Sequence, residues 1–153
     1  MGRAGIFHTL KLMRNLVNDF KSRLEMIQLA TRLVGFVAPK DELGEVNELF
    51  LFVRDKVRYI RDVLHVETLA TPTVTLARRA GDCDDKTTLL ATLCESIGYP
   101  THFVVAGYTD PKTFEHVYLQ IFAAEQWINA DPTEYKPLGW APPNPTILEL
   151  ERI

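Results

Sequence analysis

The spacing of apolar residues changes once along this chain, close to Pro100, and that change limits the fold more than any single motif does. Upstream, apolar side chains recur every three or four residues, as they do on one face of a helix. One run is Phe7, Leu10, Met13, Val17, Phe20, Leu24, Ile27 and Leu33; a second is Val46, Leu49, Phe50, Val53, Val57 and Ile60; a third is Leu89, Leu90, Leu93, Cys94 and Ile97. Downstream the period is two, and His102 to Tyr108, Glu115 to Phe122 and Gln126 to Ala130 read as strands. Helices first and strands second predict an α+β domain.

Punctuation refines this reading. The first run predicts one long helix or two shorter ones, ended by Gly35 to Pro39, and Asp41 is placed to cap the next helix. Between Asp62 and Ala80 the pattern weakens around Thr71-Pro72-Thr73, which predicts a loop with one helical turn. Gly81-Asp82 then opens a third helix, and Gly98 stops it. From Tyr135 the prolines at 137, 142, 143 and 145 predict an irregular surface tail, with Ile147, Leu148 and Leu150 available to dock. The expected organisation is one domain over 1–153, with a helical part at 5–65, a catalytic core at about 46–133 and a proline-rich tail at 135–153.

Charge excludes some functions. A net charge of -3 supplies no basic field, so neither nucleic acid nor a membrane is expected as partner. No stretch approaches the roughly 18 apolar residues of a spanning helix, and Met1 to Leu10 lacks the plan of a secretory signal, so a cytoplasmic location is expected. Two cysteines do not make a disulfide scaffold. Eleven residues along one helix would separate Cys83 from Cys94 by about 16 Å, beyond disulfide reach, and Cys94 falls on the apolar stripe.

Cys83 sits differently. With Asp82 as N-cap it takes the first helical position, where unpaired amides and the helix dipole favour an anion. A thiolate is the nucleophilic form of cysteine, and helix N-termini are one means of obtaining it. Asp82, Asp84 and Asp85 work against it, because like charge raises a thiol's pKa. Helical geometry predicts that Asp84 and Asp85 point away from the sulfur; the sequence leaves open which effect wins. The acidic and thiol side chains lack the paired spacing of a zinc site and the alternation of a calcium loop, so no metal or cofactor is expected.

Along Glu115 to Phe122, His116, Tyr118, Gln120 and Phe122 share one face, and Val117, Leu119 and Ile121 the other. A two-residue turn at Ala124-Glu125 would set Ala123 opposite Gln126 and Tyr118 opposite Asp131, leaving His116 and Asp131 as same-face diagonal neighbours. A three-residue turn would put them on opposite faces. Taken singly, a strand histidine and an Asp-Pro turn residue are ordinary, as is a buried cysteine. Together they give a nucleophile, a base and an orienting carboxylate. His8, His65 and His102 have no evident carboxylate partner and are read as structural.

In order along the chain stand Gly81-Asp82-Cys83-Asp84-Asp85-Lys86 with Leu89-Leu90, Ile97-Gly98-Tyr99-Pro100, Glu115-His116-Val117-Tyr118, Trp127, and Asp131-Pro132-Thr133. From about Val46 to Thr133 this set resembles the transglutaminase-like core. The resemblance implies a papain-like α+β fold, in which the cysteine helix packs on an antiparallel sheet, and a catalytic triad of Cys83, His116 and Asp131. It implies a thiol hydrolase, a cysteine protease or amidase, acting on a protein or peptide substrate. Acyl transfer to an amine and a silent structural module are the alternatives. It also offers Tyr59 as an oxyanion donor, and similarity to small bacterial and phage proteins.

Overall fold

The computed structural model describes residues 1–61 and 69–153. The first apolar run forms two helices, α1 (Arg3–Phe20) and α2 (Leu24–Val34). At the junction the Arg23 guanidinium lies 3.6 Å from the Phe20 ring centroid and bonds Asp19. Helix α3 (Glu42–Lys56) begins as expected, the Asp41 carboxylate accepting from the Gly44 amide at 2.9 Å. It ends earlier than its stripe: Val57 is already extended at φ −111°, and Ile60 is 44% exposed. Neither is helical, because the chain leaves α3 into a short strand, β1 (Arg58–Tyr59).

The expected loop holds more order than a single turn. Helix α4 (Pro72–Arg78) has Thr71 as cap and proline at its first position, and Arg79 ends it at φ 52°. Strand β2 (Ala80–Gly81) then pairs in parallel with β1, Tyr59 beside Gly81. Neither two-residue strand is long enough to show a period. The first part of that loop, with His65, lies outside the described residues.

Helix α5 (Cys83–Ser96) is the axis of the molecule. Every residue from Asp85 to Cys94 is buried, polar ones included, because α1, α2, α3 and α4 pack around it and the sheet closes the remaining side. The expected apolar stripe is therefore only part of its buried surface. Two of its three threonine hydroxyls are answered within the fold, Thr92 donating to Thr88 O at 2.7 Å and Thr87 to Val117 O at 3.4 Å.

Four antiparallel strands follow: β3 (Thr101–Gly107), β4 (His116–Ala123), β5 (Gln126–Ala130) and β6 (Ile147–Arg152), in the order β5-β4-β3-β6. Val117, Leu119 and Ile121 join Phe103 and Val105 in the core against α5. On the far face Tyr118 is buried with Val104 and Ala106.

The strand at the C-terminal end corrects the irregular tail. Its leucines do not dock: Leu148 and Leu150 are 44% and 52% exposed. Glu149 and Glu151 instead turn toward α1, where Arg3 and Arg14 meet them at 2.8 Å and 3.0 Å. Such partly exposed pairs contribute about 0–1 kcal/mol each. The ladder with β3 does most to hold β6 in place. Among the described residues, no helix is long and apolar enough to cross a membrane.

Candidate active site

Cys83 opens α5 behind a reciprocal cap. Asp82 accepts from the Asp85 amide at 3.0 Å, and Asp85 accepts from the Asp82 amide at 3.4 Å and from Ala70 N at 2.8 Å. Gly81 makes the turn possible, since a Cβ there would stand 2.6 Å from Asp85 Cβ. The β1–β2 pairing places Tyr59 next to this turn.

The three carboxylates divide their roles. Asp85 faces the cap, away from the sulfur, as expected. Asp84 does not: the Cys83 thiol donates to its Oδ1 at 3.6 Å. Burial pushes the thiol pKa up, Asp84 and then Asp82 push it further, and a backbone hydrogen bond from Val117 opposes them. In the resting site the acids and burial prevail over the helix N-terminus, so Cys83 holds its proton. Both cysteines are free.

The hairpin turns as expected. Ala123 pairs with Gln126, and both turn residues are left-handed, with φ 50° at Ala124 and 61° at Glu125. Neither residue favours that conformation intrinsically, but Glu42 on α3 accepts a hydrogen bond from the Ala124 amide and fixes the turn from outside. Paired residues end at Leu119 and Ala130, one step before Asp131. The register nonetheless delivers the contact: His116 Nε2 lies 2.7 Å from Asp131 Oδ2, and Asp131 Oδ1 accepts from Thr133 N at 3.0 Å. The Asp131 side chain is fully buried, and that of His116 is 16% exposed.

Cys83, His116 and Tyr59 line one cavity of about 340 Å³, with Asp84, Phe114 and Glu115 also on its wall. Because Nε2 is committed to Asp131, the imidazole has Nδ1 left for that cavity. Sequence reasoning missed Lys86. This residue lies one turn beyond Cys83 and is 2% exposed, its Nζ donating to Val57 O at 2.6 Å and Arg54 O at 3.3 Å. Its signal was present in principle, as a cation at the head of the run Thr87 to Cys94, which is otherwise apolar or threonine. His102 stacks on Trp127 at 3.7 Å between ring centroids, as a structural residue would.

The profile of the transglutaminase-like superfamily matches residues 27–132, which contain the cap, the cysteine, the hairpin and the Asp131 turn. The chain belongs to the transglutaminase-like superfamily. Solved structures agree on the fold. A candidate cysteine protease from Cytophaga hutchinsonii superposes with a TM-score of 0.61 at 19% identity, over 82% of this chain and 42% of that one. Calcium-bound LapG from Legionella pneumophila gives 0.61 at 16% identity, over 93% and 86% of the two chains. A Rad4/XPC DNA-repair complex gives 0.54 at 10% identity, over 87% and 40%. The chain thus spans less than half the length of the first and third of these. No curated protein matches it. A fold carried both by a candidate protease and by a DNA-repair protein leaves the activity of this transglutaminase-like chain to be argued from its site.

Proposed function

We propose that this transglutaminase-like chain is a thiol-dependent hydrolase of amide bonds, a cysteine protease or amidase. Cys83 is the nucleophile, His116 the base and Asp131 the residue that orients the base. The observation that carries this reading is the 2.7 Å contact of His116 Nε2 with buried Asp131, made while His116 and Cys83 line the same cavity.

The resting thiol is protonated, so the chemistry begins with a proton transfer rather than from a standing ion pair. As Sγ attacks the amide carbonyl carbon, its proton passes to His116 Nδ1, and negative charge collects on the carbonyl oxygen. The N–H of Cys83, which lacks a partner within its own helix, faces that charge, and Tyr59 is the candidate for a second donor. The C–N bond then breaks, the amine leaves with the proton held by His116, and a thioester remains on Cys83. Water gives a proton back to His116 and attacks the thioester, releasing the acid and restoring the thiol. Asp131 keeps its charge throughout and fixes the tautomer.

A panel of peptide amides and activated esters, read by product formation and by intact mass, tests the proposal. Turnover and an acyl adduct are expected in the native chain, and neither in Cys83→Ala. Incorporation of a primary amine in place of water would move the assignment to acyl transfer. No turnover and no adduct across the whole panel would sink it.

A further inference from the structure

Where α3 and α4 end, a groove of about 440 Å³ opens between Leu29 on α2, Phe52 on α3, Val57, and Leu76 on α4. Its floor is apolar, and its remaining walls are the cations Lys56 and Arg79. Both are exposed, as are Arg58 and Arg78, which adjoin them: the Arg58 amide donates to Arg79 O at 2.9 Å, and the β1–β2 pairing sets Arg58 beside Ala80. Lys56, Arg58, Arg78 and Arg79 make no ion pair among the described residues. Asp55, the acid next to Lys56, is already held by Arg54 in a bidentate contact at 2.7 Å and 3.1 Å. Glu25 stands one turn before Leu29 on α2, so the rim keeps an excess of positive charge even with that acid counted.

Helix ends explain part of this charge. A cation in the last turn gains from the helix dipole, which accounts for Lys56 on α3 and Arg78 on α4. It does not account for Arg58, which lies on a strand, and at Arg79 it competes with strain, since that residue ends α4 at φ 52°. Glycine takes this conformation at the least cost, so an arginine there is kept against local preference. On a chain of net charge -3, these cations make a local positive field around an apolar floor. What fills such a place must bring carboxylates for the rim and apolar side chains for the floor. Nucleic acid would answer the cations alone, because the ring in the floor, Phe52, is packed against the core and offers no open platform for a base. A bilayer surface is met by apolar side chains that project from the protein, and these line a recess.

We propose that this groove is a docking site for an acidic, amphipathic peptide segment of a partner protein. Its apolar side chains would seat on Leu29, Phe52 and Leu76, and its carboxylates would face Lys56, Arg58, Arg78 and Arg79. The groove shares no lining residue with the cavity at Cys83, so the proposal does not rest on hydrolysis.

The test is fluorescence anisotropy on the full chain with a labelled peptide of glutamates carrying leucines at helical spacing. The comparison ligands are the same peptide with serine for leucine, a single-stranded oligonucleotide of equal charge, and vesicles containing phosphatidylserine. The native chain should bind the leucine peptide saturably, and about tenfold more weakly at roughly 0.5 M salt than at 0.05 M. The serine peptide should bind at least about tenfold more weakly, since it leaves the floor unfilled. Arg58→Glu with Arg79→Glu should weaken the leucine peptide by about tenfold or more. Arg79→Gly should weaken it about threefold while the melting temperature holds or rises, because glycine suits φ 52° better. That combination separates a docking role from a structural one, and Arg79→Gly still decides if the charge-reversed chain does not fold. No binding of the leucine peptide, equal binding of the serine peptide, unchanged affinity in either variant, or tighter binding of the oligonucleotide or the vesicles would overturn the proposal. A silent amide panel with the peptide bound removes hydrolysis alone, and turnover without peptide binding removes the docking site alone.

Discussion

The two halves of the candidate site are prepared to different degrees. At the end of the hairpin, His116 and Asp131 already hold the geometry of a base and its orienter, fixed by a ladder, a turn pinned from α3 and a buried carboxylate. At the start of α5, Cys83 has the position of a nucleophile without its charge state, since burial and Asp84 keep the sulfur protonated. A helix N-terminus contributes on the order of 1 kcal/mol to a nearby anion, which does not offset desolvation with a carboxylate alongside. Where a thiol begins protonated, the base is required for the attack itself and not merely for turnover.

The largest expected effect follows from that dependence. Cys83→Ala and His116→Ala should each lower amide turnover by about 10⁴-fold or more, and the double variant should be little worse than either single one. The measurement is kcat/KM in all three. Near-additive losses would mean that thiol and imidazole act independently, and the contrast between the two halves would then have no catalytic meaning.

Removing the orienter should cost less. Asp131→Ala is expected to lower kcat roughly 10³-fold with little change in KM, because the imidazole loses the acceptor that fixes its tautomer and direction. Asp131→Asn should be milder, since an amide oxygen can still accept from Nε2–H. If Asn proved as damaging as Ala, the carboxylate would be serving through its charge rather than its lone pair.

How much of this could be read from the chain depends on where each constraint is encoded. The order of helices and strands and the Asp41 and Asp82 caps were legible because each is local: a period, and a side chain three residues from the amide that donates to it. The two-residue turn was open in the sequence, because Glu42 on α3 fixes it from outside. The direction of Asp84 was not, because it is set by packing around the Cys83 thiol. The strand Ile147–Arg152 was hidden by its prolines upstream and by an inverted alternation, with glutamates turned inward to arginines on α1 and leucines turned out. The burial of Lys86 was not legible, because it depends on how the end of α3 meets α5, where Arg54 O and Val57 O take up its ammonium.

Stability against pH tests the burial of Lys86. Its amine falls to about 8 in the fold from 10.5, so between those values the unfolded chain binds the extra proton and stability rises with pH. That rise should total about 3 kcal/mol from this residue. The raised thiols and tyrosines act oppositely at high pH, so the quantity to measure is the native chain minus Lys86→Met, by denaturant melts from pH 7 to 10.5. A difference that stays flat across that range would place Lys86 at its ordinary pKa, and its burial at the end of α3 would then cost the amine nothing.

The smallest effect is the most direct probe of the nucleophile. Asp84 is the leading charge holding the Cys83 proton, so Asp84→Asn should bring the thiol down toward its ordinary range. Each unit of that fall raises the thiolate fraction about tenfold, and iodoacetamide labelling at a fixed neutral pH should quicken in proportion. In the native chain labelling should be slower than that of a free thiol and should climb steadily with pH. A rate that is flat from pH 5 to 8 would instead indicate a preformed thiolate and imidazolium. Faster labelling of Asp84→Asn without faster amide turnover is the expected combination: once His116 takes the proton during attack, a thiolate formed in advance is a weaker nucleophile and adds little.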